Sequence, residues 1–380
     1  MSRRLAILIN SHPYFHQHKE ALFRDLPADV DVTLHTGECD PGISPDFAGQ
    51  IRPLAIDRYA HFRFGDFRAL RQMFQVFRHD RPDIVVAITL KVVLFALLAG
   101  ALSRWTGRPC SKIVLFFPGL GRVFGSRKGG LFNKLRLSSS VAALRMLTGQ
   151  GNCAFVFENE TDQRLFVALS IADRDATKVI SGTGVPIDVH VPAKDPDGPL
   201  RVAFAGRVLR AKGVELLIRA FKGLGEQEPV QLDIYGPSDP SDPDSVPLQA
   251  ADLPSTIRYH GAVPLDGVYE ALGEAHCVCL PTLYREGLPR ILLEGAAHAC
   301  ALISTNMPGC RSIVKDGVTG RLILARDPAV IEDDLVRTLR AFAHDRSGVI
   351  AMGQRARELL LDGDFSEQAV RDAFQAFILQ

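Results

Sequence analysis

A chain of 380 residues is longer than the roughly 250–300 at which one hydrophobic core tends to divide, so two domains are expected. The composition, 47% hydrophobic and 23% charged, is that of an ordinary globular protein, and a formal net charge of +1 gives none of the basic excess that nucleic-acid binding needs. Seven cysteines, odd in number and without a Cys-x-x-Cys pair, suit buried thiols in a reducing compartment better than a disulfide framework or a zinc site.

The opening MSRRLAILINSHPYF turns polar after five apolar residues, which speaks against a signal peptide. LAILIN (5–10) reads as a strand running into a polar loop that holds His12 and His16, KEALFRDL has helical spacing, and DVTLH alternates like a strand. FRALRQMFQVFRHD follows as an amphipathic helix, with a turn at Arg81-Pro82 and a buried strand after it. VVLFALLAGAL (92–102) is eleven apolar residues, short of the roughly 18–20 that span a bilayer, and reads as a buried helix. SKIVLFFPGLG and NCAFVFEN add strands, and strands alternating with helices imply parallel βαβ units. Three prolines and mixed charges at 189–199 read as a linker. The alternation restarts with LRVAFAG, and 363–380 reads as a closing amphipathic helix. The expected fold class is α/β, with Rossmann-like domains at 1–188 and 200–362 facing across a cleft and ligands at the carboxyl ends of the strands.

Two stretches carry chemistry. In YREGLPRILLEG (284–295), Glu286 lies in a loop leaving a strand, Gly287 lets a backbone approach a ligand, and Pro289 fits the first turn of the next helix. Free N–H groups at that helix start suit an anion such as a phosphate. Glu294 is expected about two turns into the helix, among apolar neighbours where an unpaired carboxylate is costly. Glu286 could accept hydrogen bonds from hydroxyls, and the pair reads either as carboxylates touching different parts of one ligand, in preference to an acid/base pair, or as a loop charge and a solvated helix charge. In FAGRVLRAKGVELL (204–217), a strand ends at Gly206, and Arg207 and Lys212 follow in the loop. They are either surface cations or a guanidinium and an ammonium that share one diphosphate. Neither a P-loop nor Gly-x-Gly-x-x-Gly is present. The Asp-x-Asp strings at 29–31, 195–197, 242–244 and 362–364 fall at a strand edge, in the linker or in turns, so no metal ion and no other cofactor is expected.

FAGRVLRAKGVELLIRAF, CLPTLYREGLPRILLEGAA and MPGCRSIVKDGVTGRLI resemble the signature blocks of family-4 retaining glycosyltransferases of the GT-B fold. The likeness runs over nearly all of the chain and is most specific between 200 and 325. It implies that Glu286 faces the donor sugar, Glu294 holds the ribose, Arg207 and Lys212 neutralise the leaving nucleoside diphosphate, and Gly287, Leu288 and Pro289 contact that diphosphate. UDP is the donor nucleotide such a resemblance favours. NSHPYFHQHKEAL, AITLKVVLFALLAGAL, FFPGLGRVFGS and VFENETDQRLF resemble the bacterial subgroup that extends polyprenyl-diphosphate-linked sugars. This implies a lipid-linked acceptor and a peripheral place at the cytoplasmic face of the inner membrane. His18 matches a histidine of that subgroup's first loop. Lys91, after a strand, is a candidate for an acceptor phosphate, and Gly119 and Gly121 form the glycine turn. Arg122, Arg127, Lys128 and Lys134, interleaved with large apolar residues, suit either an anionic membrane surface or an ordinary surface loop and helix.

Overall fold

The structure is a computed structural model describing residues 2–44, 47–56, 66–107, 111–120, 131–149 and 152–380, with the backbone alone described at 41 and 131–136. Gly121, Arg122, Arg127 and Lys128 lie outside the described residues, as does the side chain of Lys134.

The chain divides into two compact units, Met1–Thr183 with Glu367–Gln380, and Gly184–Ser366. The first is built on β1 (Arg3–Ile9), β2 (Val30–Thr36), β3 (Gln50–Pro53), β4 (Ile84–Ile88), β5 (Lys112–Phe117), β6 (Cys153–Phe157) and β7 (Thr177–Val179). These pair in the order β3-β2-β1-β4-β5-β6-β7, all parallel. Parallel strands are covered on both faces, which is why β4 and β5 read as continuous apolar runs. Alternate residues serve two cores. Leu5, Ile7, Ile9, Val86 and Phe116 pack on one face, and Leu8, Val85, Leu115 and Phe117 on the other.

Helices α1 (His12–His18), α2 (Asp66–Gln75), α3 (Leu90–Trp105), α4 (Leu131–Thr148) and α5 (Glu160–Ala168) connect these strands. The stretch read as a polar loop is therefore α1, because Pro13 at its first turn has the helical φ already and needs no N–H there. His12 is fully buried in it. The loop after β2 donates Asp40 N–H to His12 Nδ1 at 3.1 Å, which leaves Nε2 to meet Ser44 Oγ at 3.2 Å.

The second unit holds β8 (Leu200–Ala205), β9 (Val230–Tyr235), β10 (Ile257–Gly261), β11 (Cys277–Leu280), β12 (Ala301–Thr305) and β13 (Gly320–Ile323), in the order β10-β9-β8-β11-β12-β13. Its helices are α6 (Val214–Leu224), α7 (Leu265–Glu274), α8 (Arg290–Ala297), α9 (Cys310–Ile313), α10 (Pro328–His344) and α11 (Arg346–Leu361). The segment read as a linker, 189–199, lies inside this unit. Lys194 Nζ donates to Leu272 O (2.8 Å) and Gly273 O (2.7 Å) at the end of α7, and Arg357 Nη2 donates to Ile187 O at 3.3 Å. Prolines and mixed charge describe an extended segment equally well when that segment is laid along a domain. The last helix, α12 (Glu367–Leu379), belongs to the first unit. Val370, Phe374 and Ile378, four apart, bury one stripe against β1, β4 and β5, and each contributes about 2 kcal/mol through burial.

His35, on β2, is buried and its pKa is pushed down to about 4, chiefly by burial and against the pull of Asp80. At neutral pH both folded and unfolded forms are uncharged there; on acidification the unfolded chain takes up its proton first, near 6.5, and folding loses ground. Stability is expected to fall by about 3 kcal/mol from this group between pH 7 and pH 4. Urea titrations across that range, on the protein and on His35→Gln, should show the slope flatten in the variant; an unchanged slope would assign it to other groups.

Candidate active site

In both sheets the strand order reverses beside the first strand, between β1 and β4 and between β8 and β11. Open α/β sheets bind ligands outside the carboxyl ends of the strands at such a reversal. In the second unit the two flanking strands lead into Gly206-Arg207 and into the loop 281–289, so the predicted residues gather there although about 80 positions separate them.

Lys212 closes a short 3-10 turn (Arg210–Lys212) after β8. Its side chain folds back over Gly206, where an added Cβ would stand 3.4 Å from Nζ. Lys212 Nζ lies 3.7 Å from Glu286 Oε1, with the side chains 18% and 12% exposed. This is a loose pair, longer than a good charge-assisted hydrogen bond, so the ammonium keeps donors for another anion. The loops are laced together beneath it: Leu283 N–H donates to Ala211 O at 2.7 Å, and Thr282 Oγ1 reaches Ala211 O (3.2 Å) and Glu286 Oε1 (3.5 Å). Gly213, the N-cap of α6, has φ +76 and would place a Cβ 2.0 Å from Pro281 O, so only glycine lets the two loops meet.

Arg207 is the more exposed cation, 53% accessible, and its Nη1 pairs with Asp242 Oδ2 at 3.2 Å. Asp242 and Asp244 belong to the 242–244 string read as a turn. Asp242 Oδ1 accepts from Asp244 N–H at 3.0 Å, and Asp244 Oδ2 accepts from Ala211 N–H at 3.0 Å. The loop after β9 thus ties itself to the loop that carries both cations.

Glu294 is buried, and it is one turn into α8 rather than two. The helix starts at Arg290, and Pro289 stands before it as the N-cap with ψ 116 rather than in the first turn. Arg290 Nε donates to Glu294 Oε1 at 2.7 Å, and the Tyr269 hydroxyl of α7 lies 3.5 Å from the same oxygen and 3.4 Å from Arg290 Nη2. Burial pulls the Arg290 pKa down, but the Glu294 carboxylate and the Tyr269 hydroxyl more than reverse this and leave it above the ordinary arginine value. Sequence reasoning missed Arg290, Tyr269, Thr282 and Asp242. Arg290 was within reach of it, since residues four apart on a helix are neighbours. Arg290→Leu would leave Glu294 buried without its cation and is expected to cost about 3 kcal/mol of stability. Chemical denaturation checks this, and Arg290→Lys should recover part of the loss.

On the first unit, His18 ends α1 with its ring 5.0 Å from that of Tyr14. Lys91 is in the first turn of α3, with Nζ 2.9 Å from Asp66 Oδ1 and both side chains nearly buried, so its charge is already paired. Gly119 follows β5 with φ +154.

The chain superposes on solved GT-B structures over nearly its full length. Anabaena HepE in complex with UDP and glucose matches with a TM-score of 0.71 at 12% identity, over 97% of each chain. Sucrose-phosphate synthase of Thermosynechococcus elongatus gives 0.70 at 17%, over 97% of this chain and 96% of that one. The lipopolysaccharide outer core galactosyltransferase WaaB gives 0.67 at 15%, over 99% of each. The fold is GT-B.

Within it, residues 199–341 match the family model for glycosyl transferases group 1, a span that contains Arg207, Lys212, Glu286 and Glu294. The phosphatidyl-myo-inositol mannosyltransferase of Mycobacterium leprae is 31% identical over 170 residues, 44% of this chain and 45% of its own. The D-inositol 3-phosphate glycosyltransferase of Frankia alni is 28% identical over 221 residues, 53% of each. The chain thus spans about half the length of the curated relatives it matches.

Proposed function

We propose that the protein is a retaining glycosyltransferase that moves a hexose or N-acetylhexosamine from a nucleoside-diphosphate sugar, UDP foremost, to a polyprenyl-diphosphate-linked saccharide. The observation that carries the reading is the convergence of Lys212, Glu286, Arg207 and the start of α8 at the strand-order reversal of the second unit, with Glu294 held in place by Arg290. The group 1 family match over these residues and the UDP seen with HepE support the donor class.

Breaking the bond between the anomeric carbon and the diphosphate leaves negative charge on the leaving oxygens. Fixed cations stabilise that charge best when they are in place beforehand. Lys212 is anchored by the lacing of its loop to residues 281–283, and Arg207 by the Asp242 loop, so neither must be gathered during reaction. Glu286, beside the ammonium, accepts hydrogen bonds from sugar hydroxyls and orients the ring. Glu294 accepts from the ribose hydroxyls, and its ion pair with Arg290 fixes the carboxylate inside an apolar helix face. The cations account for leaving-group stabilisation with no metal ion in the scheme.

The acceptor rests on the N-terminal resemblance and on the relatives' activity toward a phosphatidylinositol. A soluble acceptor is the second reading, favoured by the D-inositol 3-phosphate glycosyltransferases among the relatives. Nucleoside-diphosphate release would be measured with UDP- and GDP-sugars, with and without a polyprenyl-diphosphate-sugar extract. Release that needs the lipid and one donor supports the proposal. Release indifferent to the lipid moves the acceptor to a soluble sugar, and no release from folded protein rejects transfer.

A further inference from the structure

We propose that the outer ridge of α3 seats the first unit on a bilayer rich in anionic lipid. The purpose of such a seat rests on the lipid-linked acceptor just described, but the observations for it are independent of the active site. The inner side of α3 packs Val92, Val93, Ala96 and Ala99 on the sheet, as its apolar sequence predicts. The outer side of a surface helix ordinarily carries charge. Here it carries Leu98, Leu102 and Trp105, one above another at spacings of four and three, exposed by 36%, 42% and 91%. Phe67 on α2 and Met146 on α4, the helices on either side, are exposed as well.

Charge identifies what the ridge meets. Arg68 and Arg71 on α2 and Arg145 on α4, the helices that pack against α3, are exposed, and Arg145 also donates to the Leu169 carbonyl. The three helices contain a single carboxylate, Asp66, and it is buried against Lys91. The exclusion of acid extends along the sequence: from Ile84 to Phe157 there is no aspartate or glutamate, against ten lysines and arginines, in a chain whose net charge is only +1. A surface that meets another protein has no need to lack carboxylates. One that meets lipid phosphates does, and leucine with an interfacial tryptophan supplies what enters the headgroup layer. Among the described residues no helix is long and apolar enough to cross a membrane, so the contact is with the surface of the bilayer.

The chain's single tryptophan is Trp105, so the test needs no label. The full chain would be mixed with vesicles of phosphatidylcholine alone or with phosphatidylglycerol added, and tryptophan emission followed alongside co-sedimentation. A blue shift and sedimentation are expected with the anionic vesicles, weakened by salt and by Arg71→Glu; Leu98→Ser with Leu102→Ser, both at exposed positions, should abolish sedimentation. Emission unchanged by either vesicle overturns the proposal. A blue shift produced by concentrating the protein without lipid also overturns it, since a second copy would then cover the ridge. Nucleoside-diphosphate release toward a water-soluble short-chain acceptor separates this from the function above: release without the shift removes the seat alone, and the shift without release removes the transferase reading alone.

Discussion

Lys212→Ala is expected to lower nucleoside-diphosphate release at saturating donor by about a thousandfold, the size of effect seen when a preorganised donor to a developing anion is removed. That corresponds to about 4 kcal/mol of transition-state stabilisation. The ammonium sits 3.7 Å from Glu286 and its side chain is only 18% exposed, so water replaces it poorly. Because the charge grows only as the bond breaks, the loss should appear in kcat far more than in KM. Arg207→Ala should cost less, since that guanidinium is half exposed and its place is open to water. Steady-state kinetics on both variants decide the matter. A loss under tenfold in Lys212→Ala, or a loss confined to KM, would take the residue off the leaving group.

Gly309→Ala is expected to damage the site without touching any side chain in it. The backbone at Gly309 has φ −69 and ψ −34, which alanine accepts, so the effect is steric alone. A Cβ there would stand 1.6 Å from Gly287 O and 3.1 Å from Leu288 Cα, so the loop before α9 and the loop carrying Glu286 would have to part. Overpacking of this kind costs about 3 kcal/mol. The displaced loop should also take Glu286 out of register with Lys212, so activity should fall even where the variant is folded. The contrasting change is Gly267→Ala. Its Cβ would enter open space inside α7, 4.0 Å from Val263 Cβ, and the residue gains up to about 1 kcal/mol of helix propensity. Thermal melts of the two variants, read beside nucleoside-diphosphate release, test the pair. If Gly309→Ala melts with the wild type, the two loops are not in contact.

The features legible along the chain are local ones. The apolar runs at β1, β4, β5, β8 and β11 and the helical spacing of α2, α6 and α12 follow from side-chain period, which depends on residues within a turn or a pleat of one another. The glycine, proline and charge pattern at 204–213 and 284–294 likewise placed the candidate residues after strands and at helix starts. The remaining features depend on contacts between distant segments. Whether 189–199 spans two domains or lies along one depends on Lys194 meeting the carbonyls at the end of α7, nearly 80 residues away. Whether α12 closes the second unit or returns to the first depends on a stripe of Val370, Phe374 and Ile378 finding the sheet of β1, β4 and β5. The partners of the candidate site are of the same kind. Arg207 finds Asp242 because β9 lies beside β8, and Lys212 finds Glu286 because the strand order reverses between β8 and β11. A periodicity states which face of an element is apolar, but it does not say which face of another element will cover it. That choice is made by the whole sheet, through burial summed over many strands at once, and no single stretch of the chain contains it.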